Sequence, residues 1–281
     1  TPGHSSAASD VYKRQEEGLL RMRKKLGLYA NIRPTYTFDS LLEKSPIKKS
    51  IIQGTDLVFV RELTGGIYFG KRGRNKTDDY AYDTCEYNVN EIKRLAKIGF
   101  ELAMKRSKKL CCIDKANVLE TSRLWRQTVQ SLEKNYPEVN VSYEFVDAVA
   151  MRLIHSPSYY DVLITSNLFG DILTDEASVI SGSMGLMPSA SVGVETSIYE
   201  PIHGSFPQAK GKNIANPLAT ILSASMMFER SFHLNEESKL IRDLVNESIS
   251  NNIVTKDLSG DGKPFTTEEV GDWIVDRIRK G

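Results

Sequence analysis

The segment TSNLFGDILTDEAS places Asp171 and Asp175 four residues apart, just past an apolar run that ends at Thr165. With Asn167 as the N-cap of a helix, both carboxylates fall on one face, one turn apart. Such a pair suits a hard divalent cation, Mg²⁺ or Mn²⁺, which prefers oxygen ligands; a solvated acidic helix face gives the same spacing. Asp147, in EFVDAVAM, stands at the end of another apolar run. Ligand residues gather at strand ends in open α/β sheets, and an aspartate ahead of a small-residue helix also serves as a cap.

Three arginines complement these carboxylates: Arg23 in LLRMRKK, Arg33 in YANIRP and Arg61 in FVRELTGG. A guanidinium fork binds a carboxylate bidentately, so a converging trio suits a substrate with two carboxylates. Exposed surface ion pairs are the alternative for each. In ELTGGIYFG the double glycine marks a turn that projects Tyr68, and in CCIDKANVLE Lys115 follows an apolar strand. Both side chains can carry protons, Lys115 as a base only where burial or a neighbouring cation lowers its pKa; a salt-bridged lysine is the alternative. The loop EPIHGSFPQAKGKNIANP offers backbone amides suited to phosphate, or is a plain surface connection. It is not a G-x-G-x-x-G fingerprint, so nothing supports a Rossmann site.

These groups need strands that end near one another. Apolar runs predict strands over Asp56 to Arg61, Lys109 to Asp114, Val141 to Val146 and Asp161 to Thr165, each rich in β-formers. Between them, NEIKRLAKIGFELAMKRS and RLWRQTVQSLEKNY set Ile92, Leu95, Ala96, Gly99 and Leu102, then Leu124, Val129 and Leu132, at helical spacing. Strands alternating with amphipathic helices predict a mostly parallel α/β architecture.

A chain of 281 residues with 40% hydrophobic and 26% charged content and net charge +1 describes an ordinary globular protein, with nothing that points to nucleic acid or membrane. No apolar run approaches the roughly 18–20 residues of a membrane span, and the leading residues lack a signal peptide's apolar segment. The expectation is a soluble, cytoplasmic protein whose three cysteines stay reduced. Residues 1–15, TPGHSSAASDVYKRQ, have no period and read as a foreign or disordered leader.

Taken together, the ordered segments EEGLLRMRKKLGLYANIRP, VRELTGGIYFG, DKANVLE, VDAVAM, NLFGDILTDEAS, EPIHGSFPQAKGKNIANP and TKDLSG resemble the isocitrate/isopropylmalate dehydrogenase family of decarboxylating β-hydroxyacid dehydrogenases, and its isopropylmalate branch most closely. The resemblance implies an α/β, two-lobed fold with parallel and mixed sheets, distinct from a Rossmann fold. It implies oxidative decarboxylation of 3-isopropylmalate with NAD in leucine biosynthesis. Arg23, Arg33 and Arg61 would bind the malate carboxylates. Asp171 and Asp175 would ligate Mg²⁺ or Mn²⁺ with Asp147 of the partner subunit, which also approaches the substrate.

By the same carry-over Lys115 of the partner subunit accepts or relays the hydroxyl proton, Tyr68 protonates the enol, and Asn117 contacts the nicotinamide. Glu16, Leu19 and Leu20, with Val118 opposite, would receive the isopropyl group. Additional carboxylates of isocitrate or homoisocitrate would be poorly solvated there, which ranks those substrates second; a sister enzyme acting on tartrate is a further alternative. Glu200, His203, Gly204, Ser205, Gln208, Asn216 and Asp257 would line the adenosine and pyrophosphate. Gln208 stands where many NAD-using relatives have Asp, and with Lys210 and Lys212 it keeps NADP open.

The implied organisation is a central substrate and dimer lobe over residues 29–181 and a cofactor lobe from residues 16–28 with 182–281. The family's opening strands are missing from the latter, which makes an inactive dimer-forming fragment the remaining alternative. A symmetric homodimer with shared active sites is expected, with the stretch after Gly66 as an interlocking arm.

Overall fold

Polar and apolar residues alternate through ANIRPTY, so a strand there sends Asn31, Arg33 and Thr35 to one face and Ile32, Pro34 and Tyr36 to the other. In the computed structural model, which describes residues 18–280, this strand is β1 (Ala30–Tyr36). It follows helical residues 18–25, α1. Then come α2 (Lys49–Ile52), β2 (Asp56–Glu62), β3 (Arg72–Arg74), β4 (Ala81–Asp83), α3 (Val89–Lys105), β5 (Lys109–Asp114) and α4 (Glu120–Glu133). The remainder is β6 (Asn140–Phe145), α5 (Val146–His155), β7 (Val162–Thr165), α6 (Asn167–Ser181), β8 (Pro188–Val192), β9 (Ser197–Pro201), α7 (Leu218–Ser231), α8 (Asn235–Ser250), α9 (Lys256–Ser259) and α10 (Thr267–Lys280).

Seven strands form one sheet in the order β6-β5-β7-β2-β1-β8-β9. From β6 to β2 the pairing is parallel, while β1, β8 and β9 pair antiparallel. The sheet is therefore mixed, as the resemblance implied, and runs unbroken past residue 182, where the second lobe was expected to start. One face buries Ile32, Val58, Val60 and Ile164 under Ile92, Leu95 and Phe100 of α3 and Trp125 and Val129 of α4. The opposite face buries Leu57, Phe59 and Leu163 under Val149 and Leu153 of α5 and Leu173, Ala177 and Ile180 of α6. A third cluster joins Leu218, Leu222, Leu244, Val245, Val270 and Ile274 of α7, α8 and α10.

The four expected strands are present within a residue of their bounds, as are the two amphipathic helices within three. Asn167 is not a cap. It is the first residue of α6, Ser166 precedes it as N-cap without a capping side-chain bond, and the amide of Asn167 is spent on tertiary contacts. Asp147 likewise lies inside the first turn of α5, with Phe145 at the N-cap. Strands β3 and β4 form a separate two-stranded ribbon where an arm was expected. Among the described residues, no helix is long and apolar enough to cross a membrane.

Candidate active site

The register of β1 and β2 sets Asn31 opposite Arg61 and Arg33 opposite Phe59. Both arginines therefore emerge on the α6 face of the sheet, where each is almost wholly buried. Two buried cations side by side need anions. Along α6, Asp171 and Asp175 supply them: Arg61 Nη1 donates to Asp171, and Arg33 Nη1 lies 3.9 Å from Asp175. Arg33 also donates Nε to Asn31 and Nη1 to Thr174. The close approach of Arg61 to the helix depends on Gly170, because a Cβ there would lie 2.6 Å from Arg61 Cγ.

Desolvation comes first among the influences on Arg33, then the positive charge of Arg61, and together they lower its pKa from 12.5 to about 10. Burial beside a like charge thus makes the cation less favourable than in water, and an anion entering between the two guanidinium groups would relieve that. Partial burial, then the neighbouring Asp171, raise the carboxyl of Asp175, while Arg33 and Arg61 pull it down. Tyr68, on the 3₁₀ turn Gly66–Tyr68, donates its hydroxyl to Asp171 at 2.8 Å. Arg23 is buried on α1 and forms a 3.9 Å ion pair with Glu200 of β9.

Arg61, Asn167, Lys115 and Asp147 all lie at or just beyond the carboxyl ends of the parallel strands β2, β7, β5 and β6, the edge at which open α/β sheets bind ligands. Lys115 and Asp147 nevertheless form a separate pair. Lys115 Nζ donates to Asp147 at 2.6 Å, and that bond is the main reason the Asp147 carboxyl sits below its ordinary value. Asn117 and Val118 are exposed on the turn after β5, and Val118 is 62% exposed. Leu19 and Leu20 are half-buried on α1. Glu16 lies outside the described residues.

Two of the cofactor candidates meet each other: Asp257 accepts from Asn216 at 2.9 Å and also from Ser183 at 2.8 Å. Asn216 packs on Gly185, where a Cβ would meet it at 2.7 Å. Gly204, Ser205 and Gln208 are exposed on the loop between β9 and α7, beside the half-buried His203.

Among the described residues no three His, Cys, Asp or Glu side chains cluster as a metal site. The donors at hand still suit a hard cation, since Asp171 and Asp175 offer carboxylate oxygens one turn apart and take no other acid from this chain. Residues absent from the sequence reading are Asn31, Glu62, Tyr87 and Thr174, and Asn167 was read there only as a cap; in the fold they hydrogen-bond around Arg33, Arg61 and the Gly65 turn. Asn31 and Thr174 carried a signal in their spacing, two before Arg33 and three after Asp171.

Residues 4–274 match the family model described as isocitrate/isopropylmalate dehydrogenase. The chain is 56% identical over 268 residues to a 3-isopropylmalate dehydrogenase of Bacteroides fragilis, covering 95% of this chain and 75% of that protein. It is 46% identical over 272 residues to that of Aquifex aeolicus, with the same coverage. The crystal structure of isocitrate dehydrogenase from Methylococcus capsulatus superposes with a TM-score of 0.85 at 33% identity, over 92% of this chain and 76% of that one. The chain belongs to the isocitrate/isopropylmalate dehydrogenase family.

Proposed function

We propose that this chain oxidatively decarboxylates 3-isopropylmalate to 4-methyl-2-oxopentanoate and CO₂, reducing NAD, as a step of leucine biosynthesis in the cytoplasm. The observation that carries this reading is the meeting of Arg33, Arg61, Asp171 and Tyr68 at the carboxyl edge of the sheet. It is supported by 56% identity to a protein named for that reaction. Arg23, Arg33 and Arg61 bind the two malate carboxylates. Leu19 and Leu20 favour the isopropyl group over the extra carboxylate of isocitrate or homoisocitrate.

Asp171 and Asp175, with Asp147 of the partner subunit, would hold Mg²⁺ or Mn²⁺. When bound, the ion supplies Lewis-acid stabilisation of charge on substrate oxygens, and the nicotinamide supplies a hydride acceptor. Lys115 of the partner subunit takes or relays the hydroxyl proton. Tyr68 returns a proton to carbon once CO₂ has left. Asn117 of the partner subunit meets the nicotinamide, and Glu200, His203, Gly204, Ser205, Gln208, Asn216 and Asp257 seat the rest of the cofactor.

Homodimerisation is supported by the exposed Met151 and Ile154 on α5 and Ile172 and Val179 on the adjacent α6, an apolar surface that a second copy would cover. Residues 182–281 are assigned to a cofactor lobe beside a substrate lobe of 29–181, on the hydrophobic cluster of α7, α8 and α10, against which Phe38 and Leu41 of the substrate lobe also pack. The test is to mix the purified chain with 3-isopropylmalate, NAD and Mg²⁺ or Mn²⁺ and follow NADH together with 4-methyl-2-oxopentanoate. Turnover of isocitrate, homoisocitrate or tartrate in its place would overturn the substrate assignment. Asp171→Asn should abolish both turnover and its dependence on added metal; parental kinetics would remove Asp171 from the site.

A further inference from the structure

We propose that Asn167 is a positioning residue: one buried amide fixes both the edge that Arg61 presents to substrate and the turn that carries Tyr68. The inference rests on the reading of the site above. Asn167 is 1% exposed. Its Oδ1 accepts from Arg61 Nε at 3.2 Å and Nη2 at 2.9 Å, while its Nδ2 donates to the carbonyl of Gly65 at 3.2 Å. The orientation of the amide follows from chemistry, because a guanidinium only donates and a carbonyl only accepts. The backbone N–H of Asn167 is itself held by the Tyr87 hydroxyl at 2.9 Å.

A guanidinium has five N–H bonds. In Arg61 two go to Asn167 and one to Asp171, which leaves two, one on each terminal nitrogen, for a substrate carboxylate. Without Asn167 the group can turn and meet Asp171 with two parallel bonds. That rotation would close the substrate edge and occupy a carboxylate proposed to hold the cation.

The same amide reaches the turn at Gly65. Glu62, fully buried, accepts from the Thr64 N–H and hydroxyl at 2.8 Å each and from the Gly65 N–H at 2.7 Å. Gly65 also lies close against Tyr87, whose Cε1 would be 2.8 Å from an added Cβ, and Gly66 follows with φ +74°. The turn is thus pinned by Glu62 through its N–H and by Asn167 through its carbonyl, two residues before Ile67 leads into Tyr68. A tyrosine that must reach one carbon atom depends on that placement.

Three variants separate the two roles. Asn167→Ala should weaken 3-isopropylmalate binding, read by calorimetry without cofactor, and lower kcat, each by about tenfold. Asn167→Asp keeps the acceptor for Arg61 and loses the donor to Gly65, so binding should return to within about threefold of the parent while kcat stays low. Glu62→Gln should lower kcat with KM little changed. Parental binding by Asn167→Ala, or binding and kcat falling together in all three, would overturn the proposal. If Asn167→Ala does not fold, the split between Asn167→Asp and Glu62→Gln decides it. A parent chain that fails to bind 3-isopropylmalate sinks the functional reading itself, an outcome distinct from a parent that binds and an Asn167→Ala that binds equally.

Discussion

At the scale of single residues, the site is a problem of holding two buried cations close together. Burial and the charge of Arg61 lower the pKa of Arg33, and α6 answers with Asp171 and Asp175 in adjacent turns. Gly170 lets Arg61 lie across that helix, so Gly170→Ala should displace the guanidinium and raise KM for 3-isopropylmalate by about tenfold. Steady-state kinetics beside a melting curve will show whether KM moves more than stability. Leu19→Arg, which puts a charge in the proposed isopropyl pocket, should abolish use of this substrate, and full retention would remove Leu19 from that pocket. Arg33, Arg61, Tyr68, Asp171 and Asp175, which the fold brings together, were singled out in the sequence through their ordered motifs. Their supports were not: Asn167 reads as a cap because it begins a helix, and only a folded chain shows that its amide reaches Arg61 and Gly65 instead.

Among the elements, three of the four strands found by sequence, β2, β5 and β7, are buried on both faces, while β6 at the sheet edge is half-buried. The segments LCCI of β5 and VLI of β7 are continuous apolar runs of the kind parallel sheets produce. Strand β1 escaped because its site-facing residues, Asn31, Arg33 and Thr35, are polar though buried, and Pro34 interrupts it. Strands β8 and β9 carry small residues and prolines at their ends, which read as loop. The turn after β2 has its own pH signature. Burial, the largest influence, raises the Glu62 carboxyl above 4.5, against hydrogen bonds from Thr64 and Gly65. The unfolded chain releases that proton near 4.5 while the folded chain keeps it, so this group lowers stability as pH rises from there to the folded pKa. Glu62→Gln does not titrate. Its melting temperature relative to the parent should therefore rise across that window, and a constant difference would refute the assignment.

For the whole molecule, Lys115 and Asp147 form an ion pair of their own, beside those of Arg33 and Arg61 with Asp175 and Asp171, and in the proposed dimer each copy lends that pair to its neighbour. This makes a sharp prediction for mixed subunits. Arg61→Ala and Lys115→Ala should each be inactive alone. After dissociation and random reassociation, half the dimers are mixed and each has one intact site, so activity should recover to about one quarter of the parent's. No recovery, in mixtures shown by mass to contain heterodimers, would place each site within one chain. Met151→Asp should in parallel drive the protein toward monomer in sedimentation and lower activity with it.

The order of the strands also bears on how the protein is made. Strand β7 lies between β2 and β5 although it follows both in the chain, and it leads directly into α6. The Arg61–Asp171 contact spans 110 residues. At synthesis rates of roughly 5–20 residues per second, Arg61 leaves the ribosome on the order of ten seconds before the carboxylate that neutralises it. Through that interval the arginines of the nascent chain remain in water or against other anions, and the sheet cannot join β2 to β5 until β7 arrives between them.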